Sequence, residues 1–243
     1  MRVSRIYLPA AIECGSNITL PDELGHYVVN VLRLKSGAAI TLFNGQGGEY
    51  VGVLSRVEKR RVEVKVEEYL SKNVESPLDI TLAQGVSRGE RMDYTLQKAV
   101  ELGVTKIVPL ITERTVVNIK GDRRVKRHEH WQGVVKSACE QSGRNIVPEV
   151  GELTAMDNWV QGQNAGLRLV LYHRTTQGLR SVAYQGGPII LLIGPEGGLS
   201  EGEIELAQDK GFIPVCVGPR VLRTETAAVA ALAAMQVLWG DAG

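Results

Sequence analysis

The sequence predicts an α/β protein in two parts, a small β-rich domain over residues 1–72 and a larger parallel-sheet domain over residues 73–243. Three observations carry this. The first seventy residues hold short stretches that alternate apolar with polar, as in Val62–Val66 (VEVKV), which is the period of a half-buried strand. From Leu78 onward the apolar runs become continuous and helical patterns separate several of them, the mark of parallel strands covered on both faces. Between the two lies Ser71–Pro77 (SKNVESP), polar and closed by proline, which reads as the boundary.

In the first part, Leu20-Pro21-Asp22 opens a short helix through Val28, Val31 and Leu32 that ends near Ser36-Gly37. Ala39–Phe43 is a strand, Asn44–Gly48 (NGQGG) a turn and Glu49–Val57 the next strand, followed by a hairpin into Val62–Val66. Several short strands and one helix suggest a small barrel. The triplet Lys59-Arg60-Arg61 stands at the hairpin, where such a cluster is more often a solvated turn than a phosphate site. In the second part the strand-like runs are Ile80–Ala83, Ile107–Ile111, Leu167–Tyr172, Ile189–Ile193 and Ile213–Val217. Helices are expected over Met92–Leu102 and Trp131–Gln141.

Composition excludes several classes. With 243 residues and 44% hydrophobic content the chain can bury a sizeable core. No apolar run approaches the roughly 20 residues of a membrane span, and the opening MRVSRIYLPA lacks the apolar stretch of a signal peptide. Cys14, Cys139 and Cys216 are odd in number and far apart, so they read as free thiols in a reducing cytoplasm, Cys216 buried in a strand. His26, His128, His130 and His173 lack metal-ligand spacing, the middle pair sitting in a charged helix (RRVKRHEHW), and no metal is expected. The net charge of +1 is uneven: 10 Lys and Arg against 8 Asp and Glu in residues 1–72, 12 against 10 in 73–150, and 6 against 9 in 151–243. The first two thirds could therefore face an anion.

Two glycine loops carry the chemistry. In Leu191–Glu203 (LLIGPEGGLSEGE) an apolar strand ends in Gly-Pro-Glu-Gly-Gly, and Ser200 with Glu203 forms a capping box that opens a helix ending near Lys210-Gly211. The loop thus lies at the carboxyl end of a parallel strand, where open α/β sheets bind ligands. It lacks the lysine of a P-loop and the GxGxxG of a dinucleotide fold, and Glu196 is out of place beside a phosphate. A cationic ligand, or one presenting adenine and ribose, suits it better, and S-adenosylmethionine has both properties. The next strand breaks at Gly218-Pro219 into Arg220-Val-Leu-Arg-Thr-Glu-Thr and then an alanine-rich helix with six alanines in Ala227–Ala234. That helix is either core or a close contact between two subunits.

IGPEGGLS (193–200) with GPRVLRTETA (218–227) resembles the RsmE family of bacterial 16S ribosomal RNA uridine-N3 methyltransferases, in the SPOUT superfamily. SRGERMDYTLQKAVELGV (87–104), ITERT (111–115), EQSGRNIVPEV (140–150), RIYLP (5–9), HYVVNVLRLKSG (26–37) and the closing LWGDAG agree, so the likeness covers nearly the whole chain. It implies a PUA-like RNA-binding β-barrel followed by a SPOUT-type α/β methyltransferase domain with a trefoil knot, assembled as a cytoplasmic homodimer that acts on 16S ribosomal RNA or the small ribosomal subunit.

By the same resemblance the adenosyl pocket comprises Leu171, Tyr172 and His173, then Ile193, Gly194, Glu196 and Gly198, then Val217, Gly218, Val221, Leu222 and Arg223. Leu171 serves equally well as ordinary core. Methyl transfer to uridine N3 needs support for the anion left when the N3 proton departs. Arg223 is the candidate for that charge, and Glu225 for accepting the proton or orienting Arg223. Glu225 also suits a plain first-turn helix position. The candidate phosphate contacts are Arg5, Arg33 and Lys35 in the first part and Arg88, Arg91, Arg114 and Arg144 in the second. Each has an alternative as a surface ion pair. Two other functions stay open: a non-catalytic ribosomal RNA-binding or assembly factor, and a SPOUT methyltransferase of a ribose 2′-hydroxyl or of transfer RNA.

Overall fold

The computed structural model of the protein describes residues 3–58, 61–117 and 121–243. The chain divides into two compact units, Met1–Glu75 with Cys139–Val147, and Ser76–Ala138 with Pro148–Gly243.

The first unit contains β1 (Ser4–Tyr7), β2 (Asn17–Thr19), α1 (Asp22–His26), β3 (Ala39–Phe43), β4 (Glu49–Glu58) and β5 (Arg61–Leu70). Its sheet runs β1-β3-β4-β5-β2, with β1 parallel to β3 and the other neighbours antiparallel. The alternation in β5 does what its period demands: Val62, Val64 and Val66 are buried against Ile6, Ile40, Leu42 and Leu54, while Arg61 and Lys65 are exposed. The expected helix is shorter than its pattern. α1 passes into one π-helical turn, Tyr27–Val31, and Arg33 then takes a left-handed φ of 53°. The Leu34 N–H donates to the Val28 carbonyl (3.1 Å) across that reversal, so the helix stops short of Ser36. Lys59 and Arg60 lie outside the described residues.

Nothing in the linear pattern of Cys139–Val147 ties it to the first unit; polar side chains do so. The Glu75 carboxylate accepts the Asn145 and Ile146 N–H groups (2.9 and 3.1 Å) and the Arg144 guanidinium (2.6 Å). Arg5 donates to Asn145 Oδ1 (2.7 Å) and pairs with Glu49, and the Tyr7 N–H donates to Glu140 (3.0 Å). Burial is the largest influence on Cys139 and pushes its thiol up to about 12, which makes it an inert packing residue.

The second unit contains β6 (Ile80–Gly85), α2 (Glu90–Glu101), β7 (Lys106–Ile111), α3 (Asp122–Ser142, its last four residues counted with the first unit), β8 (Glu149–Val150) and β9 (Thr154–Ala155). It continues through α4 (Met156–Gln161), β10 (Leu167–Leu171), β11 (Ile189–Ile193), α5 (Glu201–Asp209), β12 (Ile213–Val215) and α6 (Thr224–Trp239). The sheet order is β12-β10-β11-β6-β7-β8, with β9 beside β7, and every pairing is parallel. Its central strands are continuously apolar because both faces are covered: all five residues of β11 are buried. The strand expected to reach Val217 ends at Val215. Cys216, expected to be buried in it, is half-buried and makes only an isolated bridge to Gly178. Because all strands run one way, the carboxyl ends of β6, β7, β10, β11 and β12 share one edge, the edge where ligands of such sheets bind.

Candidate active site

Three turns leave that edge together. β10 ends in Tyr172-His173, β11 in Gly194–Leu199, and β12 in Cys216–Arg223. They line one cleft of about 220 Å³, whose walls include Leu171, Tyr172, His173, Ile193, Gly194, Glu196, Gly198, Val217, Gly218, Val221 and Leu222. Of the twelve pocket residues expected from the sequence, only Arg223 stands apart: it is the exposed N-cap residue of α6 and is not part of the lining. The cleft also takes in Ile204, Cys216, Arg220, Thr224 and Ala227, which sequence reasoning did not nominate, and Arg114, which it nominated only as a phosphate contact. Ile204 and Ala227 sit in the first turns of the two helices that follow the loops, so helical phase was the available signal. Arg114 comes from the loop after β7, within the ITERT motif, and nothing local tells that it turns to the cleft.

The β11 loop is held from several directions. A Cβ on Gly194 would lie 2.8 Å from Gly198 C and Leu199 N, so only glycine closes the turn, and Gly198 has a φ of 68°. The expected capping box is present: Ser200 accepts the Glu203 N–H (3.3 Å) and Glu203 accepts the Ser200 N–H (2.8 Å). Arg114 donates to the carbonyls of Gly197 (3.0 Å) and Leu199 (3.2 Å). Glu196 accepts the Arg88 N–H (2.7 Å) and the Arg91 guanidinium (3.0 Å). Partial burial is the largest single influence on Glu196 and raises its pKa. The hydrogen bonds from Arg88, from its own N–H and from Arg91, with the charge of Arg91, together outweigh it and hold the carboxyl below its ordinary value.

Beneath the loop lies a residue that sequence reasoning missed. Gln84, fully buried at the end of β6, donates to the carbonyls of Gly85 (3.0 Å) and Gly194 (3.3 Å) and to Thr224 Oγ1 (3.0 Å). The Thr224 hydroxyl in turn donates to the Gly194 carbonyl (2.7 Å). One amide thus ties the ends of β6 and β11 to the start of α6. A polar residue directly after an apolar strand was the only clue.

The charged candidates separate into groups. Arg5 and Arg144 are corrected: their side chains are 7% and 5% exposed and spent on Glu49 and Glu75, so neither is free to meet a phosphate. Arg33 and Lys35 are exposed on the first unit, and Arg88 is exposed beside α2. Arg91 and Arg114 are exposed but already hold the β11 loop. Glu225 was expected to accept the proton or to orient Arg223; its ionic neighbour is Arg91, with Nε 4.0 Å from Oε1. Its other oxygen, Oε2, is buried without a hydrogen-bond partner among the described residues.

The cleft has apolar walls from Ile193, Val217, Val221 and Leu222, and main-chain groups of three turns face it. Arg114 is occupied by carbonyls, and Glu196 puts a negative charge at the wall. The apolar walls and the Glu196 charge suit a nucleoside or a cation, while the exposed Arg220 is the basic side chain of the lining that no carbonyl or carboxylate of the described residues occupies. Among the described residues no group of three His, Cys, Asp or Glu side chains could hold a metal ion. None of the described helices is long and apolar enough to cross a membrane.

Comparison with known proteins agrees with this chemistry. A family model described as an RNA methyltransferase domain matches residues 74–236, and one described as an RNA methyltransferase PUA domain matches residues 20–67. The chain is 32% identical over 241 residues to the ribosomal RNA small subunit methyltransferase E of Buchnera aphidicola, covering 99% of this chain and 95% of that protein. It is 31% identical to the protein of the same name from Bacillus subtilis, covering 95% of each. Among solved structures, the ribosomal RNA small subunit methyltransferase E of Neisseria gonorrhoeae, bound to S-adenosyl methionine, superposes with a TM-score of 0.93 at 43% identity over 99% of both chains. A Legionella pneumophila protein in complex with the cofactor SAM gives 0.96 at 43% identity, over 99% of this chain and 100% of that one.

Proposed function

Because the chain belongs to the ribosomal RNA small subunit methyltransferase E family, we propose that it transfers a methyl group from S-adenosylmethionine to N3 of a uridine in 16S ribosomal RNA. The observation that carries this is the convergence of the turns after β10, β11 and β12 on one apolar-walled cleft with the Glu196 carboxylate in its lining. The two similar structures bound to the same cofactor support it.

When bound, the cofactor supplies a methyl carbon already activated by its sulfonium. The chain's own part is to hold, orient and manage charge. Main-chain groups of the three turns offer donors and acceptors to an adenine edge, and Ile193, Val217, Val221 and Leu222 cover its faces. Methylation at N3 would require the N3 proton to leave. The unpartnered Oε2 of Glu225 is the acceptor we assign to it. Arg223, exposed just outside the cleft, is positioned to take the charge on the base carbonyls. A paired uridine hides N3, so the target is single-stranded or drawn from its stack. Arg33, Lys35 and Arg88, whose side chains are exposed, are the phosphate contacts retained from the original set.

The reading extends to architecture. The order β12-β10-β11-β6 inserts β11 between two earlier strands, and Thr224 returns to Gly194, which supports the knotted threading of the family. Ala233, Ala234, Val237 and Leu238 of α6 line an open apolar groove with Leu179 and Val217, and Val237 is 59% exposed. We assign this face to a second copy of the chain in a cytoplasmic homodimer. Sedimentation of Val237→Asp tests it, a wild-type monomer being the refuting result.

Nucleoside mass spectrometry of ribosomal RNA from a deletion strain decides the function. Loss of 3-methyluridine supports it, whereas loss of a ribose methyl or a transfer RNA nucleoside replaces it. Calorimetry with S-adenosylmethionine bears on the non-catalytic alternative, since an assembly factor need not bind the cofactor. Arg223→Ala should keep most cofactor binding and lose most turnover; wild-type turnover would remove Arg223 from the mechanism.

A further inference from the structure

We propose that the basic face at the start of α3 is a track for the phosphate backbone of the RNA substrate, a reading that rests on the function above. Arg123, Lys126 and Arg127 have the i, i+3, i+4 spacing that places side chains on one helix face. Arg123 and Lys126 are exposed and Arg127 is half-buried, and none of the three has an ion-pair partner among the described residues. Like charges at this spacing repel one another. They also stand at the helix end whose dipole favours anions, where Asp122 is the only acidic residue of the first turn. As a solvated face this arrangement works against its own helix. An extended polyanion lying along it removes both penalties.

Its place in the fold points to the same ligand. β7, β6 and β11 are parallel, so the chain leaving β7 emerges on the edge that carries the cleft. Within residues 112–117, which follow β7, Arg114 holds the Gly197 and Leu199 carbonyls. The Arg124 guanidinium donates to the Leu153 carbonyl and fixes the first turn of α3. His130, one step further along the same face, meets Asp93 of α2 at 2.8 Å. Arg91, two residues before Asp93, holds Glu196 of the cleft loop. The stripe therefore begins on the cleft's edge and leads to the helix that clamps its loop. A single free phosphate would call for a closed pocket of donors. A row of unpaired cations matches a strand of them.

The test uses the full chain with Arg123→Gln, Lys126→Gln and Arg127→Gln combined, and transcribed 16S ribosomal RNA as the probe. Removing about three phosphate contacts should reduce the slope of log affinity against log salt by about 2–3 and weaken binding by about tenfold or more at low salt. Cofactor affinity should not change, and the melting temperature should equal or exceed that of the wild type, since cations have left the wrong end of a helix. Restoring charge with Arg123→Lys and Arg127→Lys, leaving Lys126 native, should restore most of the slope. An unchanged slope, or a lowered melting temperature, overturns the proposal. The function fails separately: a wild type that binds this RNA with a steep salt slope but transfers no methyl group leaves the track standing. A wild type that binds neither this RNA nor the small ribosomal subunit ends both.

Discussion

Gly85→Ala tests whether the cleft's loop is propped by the end of β6, a residue outside the cleft lining. The added Cβ would lie 2.6 Å from Pro195 Cδ and Pro195 N and 2.9 Å from Gly194 C. Ordinary contact begins at 3.4 Å, so the loop must withdraw by the difference from 2.6 Å, about 0.8 Å. β6 cannot yield instead, because it is paired to β11 on one side and β7 on the other. Withdrawal stretches the Gln84 and Thr224 hydrogen bonds to the Gly194 carbonyl, which start at 3.3 and 2.7 Å. Overpacking of this kind costs about 1–3 kcal/mol.

That cost appears in one of two measurements. If the loop stays in place, the folded state bears the strain and unfolding becomes easier. If it relaxes, the strain returns when the cofactor draws the loop back, and Kd rises by about 5- to 150-fold. Calorimetric titration with S-adenosylmethionine and chemical unfolding of the same variant should together account for about 1–3 kcal/mol. Gly133→Ala is the control: it is exposed in mid-helix with nothing within 4 Å of its Cβ, and should stabilise by about 0.5–1 kcal/mol. If Gly85→Ala leaves both affinity and stability within about 0.5 kcal/mol of wild type, β6 does not prop the loop.

Arg144→Ala should destabilise the first unit by about 3–5 kcal/mol, because it leaves the largely buried Glu75 without its guanidinium; unchanged urea unfolding with weakened RNA binding would return Arg144 to the surface role the structure denies it. Glu196 has a depressed pKa, so its contribution to loop stability is complete above the ordinary carboxyl value of about 4.3 and is lost as pH falls through the lower folded value. Cofactor affinity should therefore hold steady from neutral pH to about 5 and decline below, and Glu196→Gln should flatten that decline; a decline of equal size in the variant would assign it to another group. Thiol labelling near pH 8 should find Cys14 fast, Cys139 silent because its pKa is about 12, and Cys216 slow and shielded by bound cofactor since it lines the cleft. Cys216 labelling indifferent to cofactor would place the ligand elsewhere.

What could be read ahead of the structure was what the backbone dictates. A parallel strand covered on both faces must be apolar along its length, so Ile189–Ile193 was found to the residue. A helix start needs its N–H groups satisfied, so Ser200 and Glu203 marked α5. Eleven pocket residues came from contiguous loop motifs. Partner choice among charges was not legible, because a guanidinium reaches several ångströms and its sequence context does not say what waits there. Arg5 and Arg144 carried the same promise as Arg33, yet they end on Glu49 and Glu75 inside the first unit. Cys139–Val147 joins that unit for the same reason, through a carboxylate some seventy positions away. Arg91 is the clearest case. It stood among the candidate phosphate contacts, but its geometry sets it between Glu196 on the cleft loop and Glu225 at the head of α6. The cation that bridges the cleft loop to the proposed proton acceptor is therefore Arg91, while Arg223 stays exposed outside the cleft lining. The difference between them lies in partners, since both are exposed: a charge already committed to two carboxylates cannot also answer one that develops during a reaction, and an uncommitted one can.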